Sequence, residues 1–180
     1  HPASNPNTLT SYTVEDADIT VNPATRNGYT FLGWYDNAGL TGTPVTRIRT
    51  MDAENKQYYA KWSAADSYTI VYTLNDGTPA GHPASNPNTV TSYTVLDPNI
   101  TLAPATRTGY DFEGWYENPA FTGSPVTGFP VSDAANKHFY AKWSAAKSYT
   151  VQWNLNDGTP AGHPASNPNT LTSYTVEDAD

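Results

Sequence analysis

Histidines, clustered carboxylates and lysines are the residues here that could do chemistry. His1, His82 and His163 recur at intervals of 81 residues. A metal role would need further imidazoles or carboxylates at ligand spacing. Each of these histidines instead stands alone in a Pro-rich loop, "HPASNPN", and reads as an exposed loop residue. His138 sits at a strand position held by Gln57 in the equivalent stretch, so it shares no chemistry with its counterpart. Glu15, Asp16 and Asp18 form "EDAD", a cluster of the kind that binds calcium. The equivalent "LDPN" (Leu96 to Asn99) keeps one of the three charges, so both read as solvated turns.

Serine, histidine and aspartate occur without a nucleophile elbow or triad-like spacing. There is no glycine-rich phosphate loop. Asp111 and Glu113 lie on an outward strand face, and their counterparts are Thr30 and Leu32. An enzyme would not drop its acid and base between copies of itself. The expectation is therefore no catalysis, no cofactor and no metal. Lys61 and Lys142 adjoin core aromatics, where a buried lysine could form an isopeptide bond with Asn or Asp. Strand alternation turns them outward. The aromatics leave another option. Tyr35, Tyr116, Tyr59 and Tyr140 lie opposite the presumed core residues and could stack on sugar rings. They could equally cover a sheet face or a contact between modules.

Such residues need a scaffold, and composition names its class. The 180-residue chain has 13 Tyr and 5 Trp, with abundant Thr, Asn, Pro and Gly, which suits strands joined by turns. Cysteine is absent, which excludes disulfides and thiol chemistry. A net charge of -8 argues against nucleic acid and anionic membrane as partners. No apolar run approaches the ~20 residues that span a bilayer. His1 is no translation start, so the chain reads as a fragment or processed product, with targeting signals outside it.

The organising feature is a repeat. "HPASNPNT" begins at residues 1, 82 and 163 with no insertion or deletion between copies. "TRNGYTFLGWYDN" (Thr25 to Asn37) returns as "TRTGYDFEGWYEN" (Thr106 to Asn118), and about two-thirds of aligned positions are identical. An 81-residue unit is long enough to hold a small core of its own, so the array reads as beads on a string. "SAADS" (Ser63 to Ser67) and "SAAKS" (Ser144 to Ser148) look like linkers. They phase the chain into residues 1–66, a module lacking its first strand; 67–147, a complete module; and 148–180, the start of a third.

Within a module, "SYTIVYTL" alternates, with Tyr68, Ile70, Tyr72 and Leu74 on one face. In the third copy Tyr149, Val151, Trp153 and Leu155 face in likewise. "NDG" (Asn75 to Gly77) ends the strand, and the Pro-rich run to Asn88 reads as a long loop. In "GYDFEGWY" strict alternation would send Trp115 outward with the charges, and a bulge at Gly114 would return it to the core. Phe139, Ala141 and Trp143 share a face of the last strand. Ser132 to Asn136 could make one helical turn.

The order Gly28, Tyr29, Phe31, Gly33, Trp34, Tyr35, then Tyr58 to Trp62, repeated from Gly109 to Tyr116 and Phe139 to Trp143, resembles the Listeria–Bacteroides repeat, the family of the internalin-type B-repeat. The resemblance covers nearly all of each module, although the loop through His82 is longer than usual. It implies a mainly β, β-grasp-like module with little helix. It also implies tandem use at or outside the bacterial cell surface, and it brings no catalytic residues. The expected role is a stalk or adhesin segment whose partners are neighbouring repeats or further copies of itself. Copies could join into a filament by donating the strand of Tyr149, Val151, Trp153 and Leu155. The alternative is a module that binds glycan or a host surface protein through exposed Tyr and Trp.

Overall fold

The computed structural model describes residues 2–77, 82–155 and 166–178. They are mainly β, in several small sheets, with two single-turn 3₁₀ helices as their only helical elements. No helix among them is long and apolar enough to cross a membrane. They gather into two compact units. One holds His1–Ile70, Val90–Ile100 and Phe129–Lys137; the other holds Val71–Thr89, Thr101–Gly128 and His138–Asp180.

In the first unit the strands Tyr29–Tyr35 and Tyr59–Ala65 form the central antiparallel hairpin. Ala3–Ser4 and Thr25–Arg26 complete a four-stranded sheet on the Tyr29–Tyr35 side. Ile19–Thr20 pairs separately with Arg47–Ile48. The register of the hairpin slips between Phe31 and Gly33, so that Gly33 faces Lys61 and Trp34 faces Ala60. Gly33 takes φ +133°, and a side chain there would strike Pro44. Glycine is thus required twice over, for its backbone and for its space. The slip is the equivalent of the bulge predicted at Gly114, and it turns Trp34 to the same side as Phe31, whose ring it meets edge-on at 5.6 Å.

The second unit repeats this hairpin 81 residues later, with Phe112–Tyr116 against Lys137–Trp143 and the same slip before Gly114. Trp115 is 1% exposed, as the bulge reading requires. The strand order continues from Lys137–Trp143 to Tyr68–Thr73. The leading residues of Tyr68–Thr73 belong to the first unit, where Tyr68 and Thr69 pair with Tyr93 and Ser92. The module's first and last strands are therefore neighbours. In the third copy Tyr149–Thr150 pairs with Ser173–Tyr174, reproducing the first hairpin.

Four local expectations change. The Pro-rich loop is not featureless: Ala84–Ser85 pairs with Thr106–Arg107. The helical turn falls earlier than expected, at Val131–Asp133, and recurs at Thr50–Asp52. The strand expected through Leu155 ends at Thr150; beyond it, Val151 donates a hydrogen bond to Thr172 O at 2.8 Å. "SAADS" is not a free linker, because Ser63 to Ala65 extend the last strand. Thr30 N donates to Ser63 Oγ at 3.0 Å, and Asp66 N donates to Gly28 O at 2.8 Å.

Candidate functional site

The first copy carries a groove of about 370 Å³ with a mixed polar and apolar lining. Its floor includes Val21, Trp34, Ile48 and Tyr58, and residues 5–9 form part of its rim. Each of these side chains is placed by a local device. The bulge aims Trp34, and its indole N–H donates to Asn22 O at 2.8 Å. Asn22 is gripped by Asn7, which donates from Nδ2 to Asn22 O at 2.8 Å and accepts from Asn22 N at 2.7 Å. Asn7 is fixed in turn because its backbone N–H donates to Asn5 Oδ1, the turn that asparagine makes with its own backbone. The opening "ASNPN" is thus a clamp that holds the tryptophan's hydrogen-bond acceptor in place. The second copy repeats it with Asn86, Asn88, Ala103 and Trp115.

In the second copy the same floor is covered. The Tyr72 ring lies 5.4 Å from Trp115 and 6.0 Å from Phe139. Trp143 donates its indole N–H to Leu74 O at 2.6 Å, and Asn75 donates to Ala141 O at 2.8 Å. Trp115, Phe139 and Ala141 are essentially inaccessible, whereas Trp34, Tyr58 and Ala60, their counterparts, are half-buried. In the second copy the cover is thus the strand that carries Tyr68, Ile70, Tyr72 and Leu74 in alternation. Tyr149, Val151, Trp153 and Leu155 carry that alternation in the third copy. Of these, Tyr149, Trp153 and Leu155 are exposed and Val151 is half-buried.

The four tyrosines proposed for sugar stacking divide into two pairs. Tyr35 and Tyr116 are each 7% exposed and present no ring face to solvent, which corrects their expected exposure. Lys61 Nζ lies 5.0 Å over the Tyr35 ring and Lys142 Nζ lies 5.7 Å over Tyr116. Phe121 adds an edge contact with Tyr116 at 5.6 Å. The sequence missed this because the bulge shifts the face of every residue that follows it. Tyr59 and Tyr140 are half-buried, and Tyr140 stacks on His138 at 4.1 Å.

The polar candidates have structural partners. The backbone and side chain of Thr13 both donate to Asp16, at 2.6 and 3.0 Å, and hold its carboxyl below the usual range. The turn recurs at Thr94 with Asp97 and at Thr175 with Asp178. Asp18 accepts from Thr50 N at 3.4 Å, as Asn99 does from Val131 N at 3.2 Å. Either residue can accept that bond, which explains why the charge is dispensable. Lys142 pairs with Glu113 at 2.9 Å, first of all raising the lysine's pKa by that bond, and Lys147 pairs with Asp111 at 2.5 Å. His82 accepts at its carbonyl from Arg107 Nε at 2.9 Å. His1 and His163 lie outside the described residues. Among the described residues, no group of three or more His, Asp or Glu could hold a metal ion.

A family model described as the Listeria-Bacteroides repeat domain matches residues 3–61 and 68–142. Internalin H of Listeria monocytogenes serovar 1/2a is 33% identical over 141 residues, covering 75% of this chain and 23% of that protein. Evansella cellulosilytica has a "Putative membrane protein" that is 30% identical over 135 residues, 75% of this chain and 18% of that one. Its "Putative Gly-rich membrane protein" is 28% identical over 138 residues, 74% of this chain and 14% of that one. The chain spans less than a quarter of the length of these curated relatives. No solved structure matches it.

Proposed function

The chain belongs to the Listeria–Bacteroides repeat family, and from that premise we propose that it is a non-enzymatic segment of a bacterial surface protein whose modules space or present a binding region. The relative named internalin and the relatives named as membrane proteins support a location at or outside the cell envelope. One observation carries the reading. Between copies, the hairpin register, the bulge, the Asn clamp and the Thr–Asp turn are kept at a strict offset of 81 residues. The residues that could do chemistry vary: Asp111 and Glu113 replace Thr30 and Leu32, and His138 replaces Gln57. A scaffold keeps its frame and lets its surface drift, whereas an enzyme holds its reactive groups fixed.

The groove supports strand complementation as the way modules are completed and joined. It takes a strand of the Tyr-x-Ile/Val-x-Tyr/Trp-x-Leu pattern, supplied either by neighbouring residues of an array or by Tyr149 to Leu155 of another copy. In the second case copies join head to tail, the β-strand addition seen in other assemblies. Light scattering of the 180-residue chain from micromolar to millimolar concentration tests this. Growth in mass that Trp153→Asp abolishes is expected, and a strict monomer throughout the range would exclude self-association.

The glycan reading keeps only Tyr59 and Tyr140 of its original tyrosines. A glycan array probed with the full chain separates it from the spacer role. The spacer role predicts no saturable binding. Micromolar binding lost in Tyr59→Ala and Tyr140→Ala would make the chain a lectin-like module instead.

A further inference from the structure

The turn that opens the central hairpin of each copy touches the next copy, and it does so twice in the same way. Gly28 sits at φ +75°, and a Cβ placed on it would overlap the two methyls of Val95. Gly109, 81 residues on, sits at φ +82°, and its Cβ would overlap the methyls of Val176. Valine therefore rests on the bare Cα of a glycine that only glycine's backbone freedom allows. In both turns an arginine covers the following tyrosine: Arg26 lies 3.8 Å over Tyr29, and Arg107 lies 4.0 Å over Tyr110. In both, the same glycine's carbonyl accepts a 2.8 Å hydrogen bond from the chain leaving the last strand, from Asp66 N and from Lys147 N. Socket and exit are thus fastened to one residue.

The polar link beside the contact is not conserved between the two instances. Asn27 donates to Ser132 O at 2.6 Å in one, and Tyr110 donates to Glu177 at 2.8 Å in the other. Tyr29 has no such acceptor, because Leu96 stands where Glu177 stands. The recurring element is valine on glycine.

The equivalent valine of the first copy differs in exposure. Val14 occupies the same position in the first copy, in the same Thr–Asp turn, and among the described residues no hairpin-turn glycine lies against it. It is 55% exposed, whereas Val95 is 4% exposed. The exposure of this valine thus differs with the presence of the glycine turn.

We infer that the Arg-x-Gly-Tyr turn and the valine of the following copy form a built-in docking joint, repeated every 81 residues, that holds consecutive copies in a fixed relation. The partner this surface fits is the Ser-Tyr-Thr-Val turn of the next repeat. The inference rests on the spacer reading only for its purpose, since joint geometry is measured whatever the chain binds.

The chain has no cysteine, so Ala38→Cys and Ala135→Cys can carry a spin-label pair without background. Both sites are exposed, in consecutive copies. Pulsed dipolar spectroscopy should give one narrow distance peak. Val95→Asp should at least double its width, and Val14→Asp should leave it unchanged. If Val95→Asp costs the fold by circular dichroism, Val95→Ser, which only removes the apolar fill, should broaden the peak in the same direction. A parent distribution as broad as that of a flexible linker, or a narrow one untouched by either Val95 variant, would overturn the joint. Neither result would bear on whether the array spaces a binding region.

Discussion

The first and second copies differ by one strand, and the comparison isolates what that strand does. Both build the same hairpin, bulge and Asn clamp with equivalent partners. Tyr72 lies over Trp115 and Phe139 in the second, where Trp115 is 1% exposed; Trp34 and Tyr58 line a groove in the first. The lesson is that hairpin and clamp set the geometry of the tryptophan, and the strand Tyr68 to Leu74 supplies its burial. Position and stabilisation come from different segments of the repeat.

Truncating the two tryptophans sets them apart most sharply. Trp115→Ala should cost the second copy about 3–5 kcal/mol in chemical denaturation, the range for a large aromatic removed from a closed core. Trp34→Ala should cost the first copy no more than about 2 kcal/mol, because its ring is already half-solvated. Equal losses would mean that the strand contributes nothing to burial. Breaking the clamp should do the opposite and treat the copies alike. Asn88→Ala and Asn7→Ala each remove paired hydrogen bonds to the backbone and should each cost about 1–2 kcal/mol. Amide exchange at Ala103 and Asn22 would report the loss directly.

The smallest effect concerns pH. Burial, and then the hydrogen bond to Glu177, push the Tyr110 phenol above its ordinary value of 10.0. The protonated form is therefore favoured in the folded chain. Its contribution is complete below about pH 10 and is lost as pH rises through the raised value. Tyr110→Phe should flatten that part of the alkaline stability curve, and a curve with unchanged slope would remove Tyr110 from the account.

Much of the frame was legible because alternation and glycine carry strong physical constraints. The inward face of Tyr68 to Leu74 and the bulge at Gly114 follow from period-two patterning and from the misfit of Trp115 with that pattern. The resemblance to the repeat family rested on these same aromatics and glycines. The tyrosine faces were not legible. Tyr35 and Tyr116 follow the bulge, and their burial depends on Lys61 and Lys142 reaching across from a strand that lies distant in sequence. The role of "ASNPN" was hidden for a similar reason, since its partners Asn22 and Ala103 are 15 residues away and hydrogen-bond through the backbone. The docking valine was invisible because an exposed Val14 and a buried Val95 have the same local sequence, "SYTV".

The central claim is that the groove of the first copy is the seat of a strand with the Tyr68–Leu74 pattern. A synthetic peptide of residues 67–77 titrated into the 180-residue chain tests it most directly, followed by the indole N–H resonances of Trp34 and Trp115. Saturable shifts at Trp34, with Trp115 unmoved, are expected. No shift at Trp34, or equal shifts at both tryptophans, would contradict the claim.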